Sequence, residues 1–476
     1  MAFWNRRRSI DAMLAPHSGP GLKKTLGWPH LMALGVGAIV GTGILTLIGV
    51  GAGLAGPAVL ISFALAGLVC ACAALAYAEL STIMPASGSA YTYSYAALGE
   101  IFAWVVGWSL ILEYSLVVST VAVGWSGYAV PFLAGLGVDL PFALTVGPHV
   151  EGGLINLPAI FIIAIVTGLL LLGTKESATL NAILVFVKIA ALVVFVAIAM
   201  PHFDTANFTP FMPHGFGAPF VQTGVMAAAA IIFFAFYGFD AIATAAEETR
   251  NPKRDLAIGI IGSMLVCAAI YTVIATAALG AAPFTLFANS PEPLALILRE
   301  IGQPGVAHFL AVTAVLTLPT VILAFFYGQS RIFFVMARDG LLPRGLSQLS
   351  AKGAPLRITA FTTAVVGTIA LFFPLGEIVA LANAGTLVAF SSVALCMLIL
   401  RRRSPELPRG FRTPLAWVIG PVAIAGCLYL LASLPQKTQL WFLIWNVIGV
   451  GAYLLYGRRF SVARREAREA EQAAAD

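Results

Sequence analysis

Charge is what this sequence has least of. Across 476 residues only 10% are Asp, Glu, Lys or Arg, whereas a soluble domain carries about a quarter, so no soluble surface can be assembled from it. Cysteine is scarce too. Cys70, Cys72, Cys267, Cys396 and Cys427 all lie inside apolar stretches with no CxxC and no loop partner, which argues against a disulfide framework or a cysteine metal site and leaves small-residue packing. GxGD and HExxH are absent and the six histidines are scattered, so no catalytic pair or metal centre is legible and an enzyme is not expected. Residues 1–27 contain basic residues, Pro, Gly and His but no apolar h-region. No cleavable signal peptide is expected there, and the first apolar run should start insertion itself.

What the sequence has in abundance is apolar length: 60% of residues are hydrophobic and the mean hydropathy is +0.94. About twelve runs reach the ~20 residues that an α-helix needs to cross a bilayer. They lie near 29–52, 57–81, 101–130, 155–173, 179–200, 220–247, 256–281, 305–334, 357–373, 377–400, 415–434 and 439–456. The period-two alternation of a membrane barrel is missing. The expected fold is therefore an all-α polytopic membrane protein of about 12 transmembrane helices. A channel would need repeated acidic or carbonyl-rich pore segments, and none appears.

The net charge of +6 would suggest a nucleic-acid partner in a soluble chain, but here position explains it. With the runs alternating across the bilayer, every Lys and Arg except Lys188, Arg299 and Lys437 falls on one side. Cations in short loops stay cytoplasmic, so both termini are expected in the cytoplasm, with no nucleic-acid partner and the lipid bilayer as surroundings. The expected division is a cytoplasmic arm (1–27), five helices (28–200), five more (201–400), a final pair (401–457) and a cytoplasmic tail (458–476).

Lys188 is the exceptional cation. It lies about 11 residues, or about 17 Å, from either end of its run, too deep for its stem to carry the ammonium to water. Glu113 and Asp240 are similarly deep acids. Each such residue costs about 2.5–3.5 kcal/mol to insert, which makes all three functional candidates, with a structural salt bridge or hydrogen-bond anchor as the alternative.

Two runs are interrupted by glycine. The first reads LMALGVGAIVGTGILTLIGVGAG, and the sixth carries Gly238 beside Asp240. A break at membrane depth is tolerated where it lines a cavity, and interrupted helices at corresponding places in two successive groups of five point to an inverted-repeat transporter. Small-residue packing explains Gly49 and Gly53. Gly41-Thr42-Gly43 instead offers free amides at the start of a half-helix, which suit a carboxylate, and the free carbonyls at half-helix ends suit an ammonium. Together the two breaks would receive the main-chain groups of an α-amino acid without any charged side chain.

These stretches resemble the amino acid-polyamine-organocation superfamily, nearest to bacterial members of its cationic amino acid transporter branch. The resemblance rests on LKKTLGWPHLMALGVGAIVGTGIL, AGPAVLISF, YAELSTIMPASGSAYTYSY, GWSLILEYSLVVSTVAVGWSGY, FVKIAAL, FFAFYGFDAIATAAEETRNPKRDLAIGI and YGQSRIFFVMARDGLLP, in order between residues 22 and 343. It implies a 5+5 inverted repeat of the leucine-transporter type plus two helices. It also implies proton-coupled amino acid import, or exchange by the same fold, in the bacterial inner membrane, with the proton as coupling ion, no other cofactor and a monomeric chain.

Carried over by position, Thr42 and Gly43 match the amides that take the substrate carboxylate, and Ile39 the first-helix carbonyl near the amine. Phe234, Ala235 and Tyr237 match the sixth-helix carbonyls, with Phe234 also at the aromatic position that caps the pocket. Glu113 and Asp240 match acids near the pocket. Lys188 matches the fifth-helix lysine that stands where sodium-coupled relatives hold sodium, and its expected role is a proton switch. Leu45 and Thr46 depart from the branch's usual aromatic and valine, and Leu318 stands near pocket depth in the eighth run, leaving little room for an Arg or Lys side chain. The branch name is therefore not the substrate. The stretches Glu247 to Asp255 and Met336 to Arg344 read as helix ends and membrane anchors or as gate elements, and Trp104, Trp108, Trp441 and Trp445 as interfacial or packing residues.

Overall fold

The computed structural model of the chain describes residues 6, 7, 10, 24–171, 178–343, 345, 356–462, 464, 465 and 472. Of the cations used above to orient the chain, Arg8, Lys23, Lys175, Arg344, Lys352 and Arg468 lie outside these residues. Among the described residues there is no strand, only the isolated bridges Leu26 to Thr249 and Thr145 to Asn156. This is the expected result for apolar runs, because a helix satisfies its own backbone where water is absent.

The first run is three pieces, α1 (Trp28–Ile39), α2 (Thr42–Leu45) and α3 (Leu47–Ala55). Then come α4 (Val59–Ile83), α5 (Ala90–Ala97), α6 (Glu100–Gly135), α7 (Leu157–Leu171) and α8 (Ala178–Ala199). The sixth run is α9 (Val225–Ile232), a 3-10 turn (Phe233–Ala235) and α10 (Asp240–Thr244). It is followed by α11 (Pro252–Ala281), α12 (Phe284–Phe287), α13 (Pro293–Glu300), α14 (Pro304–Arg338), α15 (Leu356–Phe372), α16 (Leu375–Arg403), α17 (Ala416–Ala432) and α18 (Gln436–Ala452). Among the described residues nine helical stretches are long and apolar enough to cross a bilayer. The fourth, ninth and eleventh runs form the shorter apolar helices Leu157–Leu171, Arg357–Phe372 and Ala416–Ala432.

Burial separates centre from rim. The stretch Val225–Thr244 is wholly buried, whereas that of Gln436–Phe460 is only 17% buried, so the interrupted sixth run is core and the last helix is periphery. Around that core, α6 packs on α14 and α16, and α11 on α4 and α1. Of the four tryptophans singled out, Trp441 is exposed and the other three pack: Trp108 stacks between Trp104 and Trp445, with ring centroids 5.5 and 4.6 Å away. Trp108 and Trp445 also donate their indole N–H groups to each other's carbonyls at 2.9 and 3.0 Å. All five cysteines are buried and free.

Candidate functional site

At Val40 the chain leaves α1 in an extended conformation (φ −75°, ψ 98°), which strips the last helical carbonyls of their amide partners. Side chains from other helices replace them. Lys188, 2% exposed, donates from Nζ to Val40 O at 2.7 Å and Gly37 O at 3.2 Å. The Tyr271 hydroxyl donates to Ile39 O at 2.7 Å. Gly37 is small because α8 must come close: a Cβ there would lie 2.8 Å from Val185 Cγ2, three residues before the lysine.

The second break passes through Gly238 at φ +122°, a conformation that side-chain-bearing residues avoid. A Cβ on Gly238 would also lie 3.1 Å from the Ala38 carbonyl carbon, and one on Gly43 would lie 2.5 Å from Ala235 Cα. The two interrupted backbones therefore touch at two points. Asp240 anchors this geometry, accepting Gly238 N–H on Oδ1 (3.1 Å) and the Tyr114 hydroxyl on Oδ2 (2.6 Å).

Between the breaks lies a cavity with room for about one water molecule. Ala38, Ile39, Gly41, Thr42 and Gly43 line it from the first run, and Phe234 and Tyr237 from the sixth. Val117 and Val121 of α6 and Val321 and Phe325 of α14 complete the wall, which carries no charged side chain. The Thr42 hydroxyl is buried there without a hydrogen-bond partner, as is that of Tyr237.

Of the residues singled out from sequence, Ile39, Thr42, Gly43, Phe234 and Tyr237 line this cavity, and Ala235 backs Gly43. Leu318 is buried beside Gly41, with Val321 closer. Asp240 and Glu113 stand outside the wall, and Lys188 behind the first break. Both carboxyl oxygens of Glu113 are buried; its polar neighbour is the Thr386 hydroxyl, which donates to Ala382 O. Sequence reasoning missed Val117, Val121, Val321, Phe325, Tyr114 and Tyr271. Helical spacing held a signal for the first four, because Val117 and Val121 follow Glu113 at four and eight residues, and Val321 and Phe325 follow Leu318 at three and seven.

Contacts between distant elements gather on either side of the two breaks. On one side Glu248 accepts Arg331 (2.6 Å) and the Tyr327 hydroxyl (2.7 Å), Glu247 accepts Ser87 N–H (3.0 Å), and Glu248 O receives the amides of Thr25 and Leu26. The Glu247 to Asp255 stretch thus ties the amino-terminal arm, the α4–α5 connection and α14 together. On the other side Tyr128 donates to Leu45 O (2.6 Å), Pro291 packs against Gly127, and Arg299 pairs with Glu292. All eleven residues that line the cavity are buried.

A buried, uncharged cavity between two interrupted helices suits a membrane transporter. The chain belongs to the amino acid permease family, whose model matches residues 26–453, within the amino acid-polyamine-organocation superfamily. It is 46% identical to a branched-chain amino acid permease of Bacillus subtilis, over 96% of this chain and 98% of that one. It is 39% identical to a methylthioribose transporter of the same organism, over 97% and 99% of the two chains. A vacuolar cationic amino acid transporter 4 of Arabidopsis thaliana is 35% identical over 84% of this chain and 67% of its own. The protein is an amino acid transporter rather than an enzyme, and a multi-pass protein of the plasma membrane.

Proposed function

We propose that this protein imports amino acids with uncharged aliphatic side chains by proton-coupled alternating access. In this reading it has twelve spans, a 5+5 inverted repeat of the leucine-transporter type plus two helices, both termini in the cytoplasm, and a monomeric working unit. The substrate carboxylate lies at the amides of Thr42 and Gly43, and the ammonium at the carbonyls of Ile39, Phe234, Ala235 and Tyr237. Protonated Lys188 holds the first break closed through Gly37 O and Val40 O. Without its proton it releases them, so movement of the first helix is tied to proton transfer.

One observation carries the substrate class: Val117, Val121, Val321, Phe325 and Phe234 make an apolar wall with no carboxylate on it. A cationic side chain there would be buried unpaired, at a cost far above that of losing a few apolar contacts. The named substrate of the branched-chain relative agrees with this wall.

The test is uptake of labelled leucine into proteoliposomes under an inward proton gradient, competed by each amino acid in turn. Valine, leucine and isoleucine compete, and arginine and lysine do not. Competition by arginine as strong as by leucine overturns the assignment.

The unpartnered Thr42 hydroxyl on the cavity wall favours a second reading, a neutral hydroxylated ligand such as the methylthioribose named for the other relative. Methylthioribose in the same competition decides between them.

A further inference from the structure

Lys188 has a counterpart. Asn383, in α16 and wholly buried, donates from Nδ2 to Ala230 O at 2.7 Å and Ile231 O at 3.1 Å. These carbonyls belong to the last turn of α9, ahead of the 3-10 turn that leads into the second break. Lys188 does the same at the first break, with two bonds of 2.7 and 3.2 Å to carbonyls at the end of α1. The fifth run thus clamps the first, and the tenth clamps the sixth. In each case one nitrogen takes two carbonyls from the half-helix that ends at the cavity.

We propose that Asn383 is a positioning residue for transport: it holds the second break by a clamp that does not respond to protons, leaving the first break as the one that moves with the proton. The chemistry of the two donors makes the difference. An ammonium loses donors when it deprotonates, whereas a carboxamide keeps its two N–H groups throughout the physiological pH range. Each clamp contributes because losing a buried hydrogen bond is costly. The asymmetry assigns them different duties: the α9 end stays put as the wall that carries Phe234 and Tyr237, while the α1 end opens. This inference rests on the proton-switch reading of Lys188, and the Asn383→Asp ratio tests the clamp apart from that reading.

Asn383→Asp separates the clamp from mere packing, because a carboxyl of similar shape donates only while it holds a proton. Substrate counterflow without a proton gradient is measured for wild type and variant between about pH 5 and about pH 8, with thermal unfolding as the folding check. Titratable groups on α16 and the elements around it include Glu100, Glu113, Tyr114 and Tyr128 on α6, Cys70, Cys72, Tyr77 and Glu79 on α4, Tyr91, Tyr93 and Tyr95 on α5, Tyr237 after α9, Cys396 on α16 and Cys427 and Tyr429 on α17, with Glu79 paired to Arg401 of α16 and Glu377 to Lys437 at its exposed end. They are the same in both proteins, so their titration cancels in the ratio. The expected result is a variant-to-wild-type ratio that falls about tenfold as pH rises, the size of one lost buried hydrogen bond. A ratio that stays constant with pH overturns the proposal.

Should the variant not fold, hydrogen exchange on the wild-type protein gives the answer. Amides of Phe233–Phe239 keep their protection, corrected for intrinsic rate, as pH rises, while those of Ala38–Gly43 lose it. Equal loss at both breaks overturns the proposal. If instead Lys188→Ala still accumulates substrate uphill while the Asn383→Asp ratio falls with pH, the proton-switch reading of Lys188 fails and the Asn383 clamp stands.

Discussion

Gly43 and Ala235 meet backbone to backbone: a Cβ on Gly43 would lie 2.5 Å from Ala235 Cα. The two interrupted helices approach this closely because neither carries a bulky group at the contact. Gly43→Ala should force the breaks apart and cost about 1–3 kcal/mol of stability. Lowered thermal stability together with loss of leucine uptake is the expected result, and a variant with wild-type uptake would contradict the contact.

Lys188→Ala removes the donor from Gly37 O and Val40 O. The variant should still exchange substrate down its gradient but should no longer accumulate it when a proton gradient is applied. Uphill accumulation at the wild-type level sinks the assignment of Lys188 as the proton switch.

Val321→Ala enlarges the wall that faces the substrate side chain. One or two methylenes in an apolar pocket are worth about 1–3 kcal/mol of discrimination, so the kcat/KM ratio of phenylalanine over valine should rise about tenfold or more. An unchanged ratio would remove Val321 from the specificity wall.

The Glu292–Arg299 pair offers a pH test outside the spanning helices. Burial pushes the Glu292 carboxyl up from its ordinary value, and the Arg299 guanidinium opposes that shift. Arg299→Ala leaves the burial unopposed, so the carboxyl holds its proton to higher pH in the folded protein. A raised folded-state value contributes stability that is present at low pH and is lost as pH rises through it. The unfolding temperature of the variant should therefore fall more steeply than wild type between about pH 5 and about pH 7. Parallel curves would refute the role given to Arg299.

Much of the site could be read from sequence because its signals are local. Gly41-Thr42-Gly43 and Gly238 mark the breaks by composition alone, and Lys188 stands out because its depth leaves it no route to water. Asp240 was legible as a deep acid, but its role as the anchor for Gly238 N–H and the Tyr114 hydroxyl was not. Tyr271 was not legible at all, since a tyrosine in an apolar run reads as packing until its hydroxyl is seen on Ile39 O. Leu318 marked the right face of α14, while Val321 and Phe325, one and two turns further along that face, form the wall.

By itself, then, the sequence determined which segments must be helices in a bilayer, where two of them break, and which ionisable groups are stranded at depth. These follow from transfer free energy and backbone conformation, which depend on residue type and near neighbours. Only the tertiary structure decided which carbonyl each stranded donor takes. It paired Lys188 with residues about 150 positions away, as it did Asn383. It also decided which faces line the cavity. Those choices depend on how each helix is rotated and shifted against partners distant in the chain, and no local pattern of residues encodes that rotation.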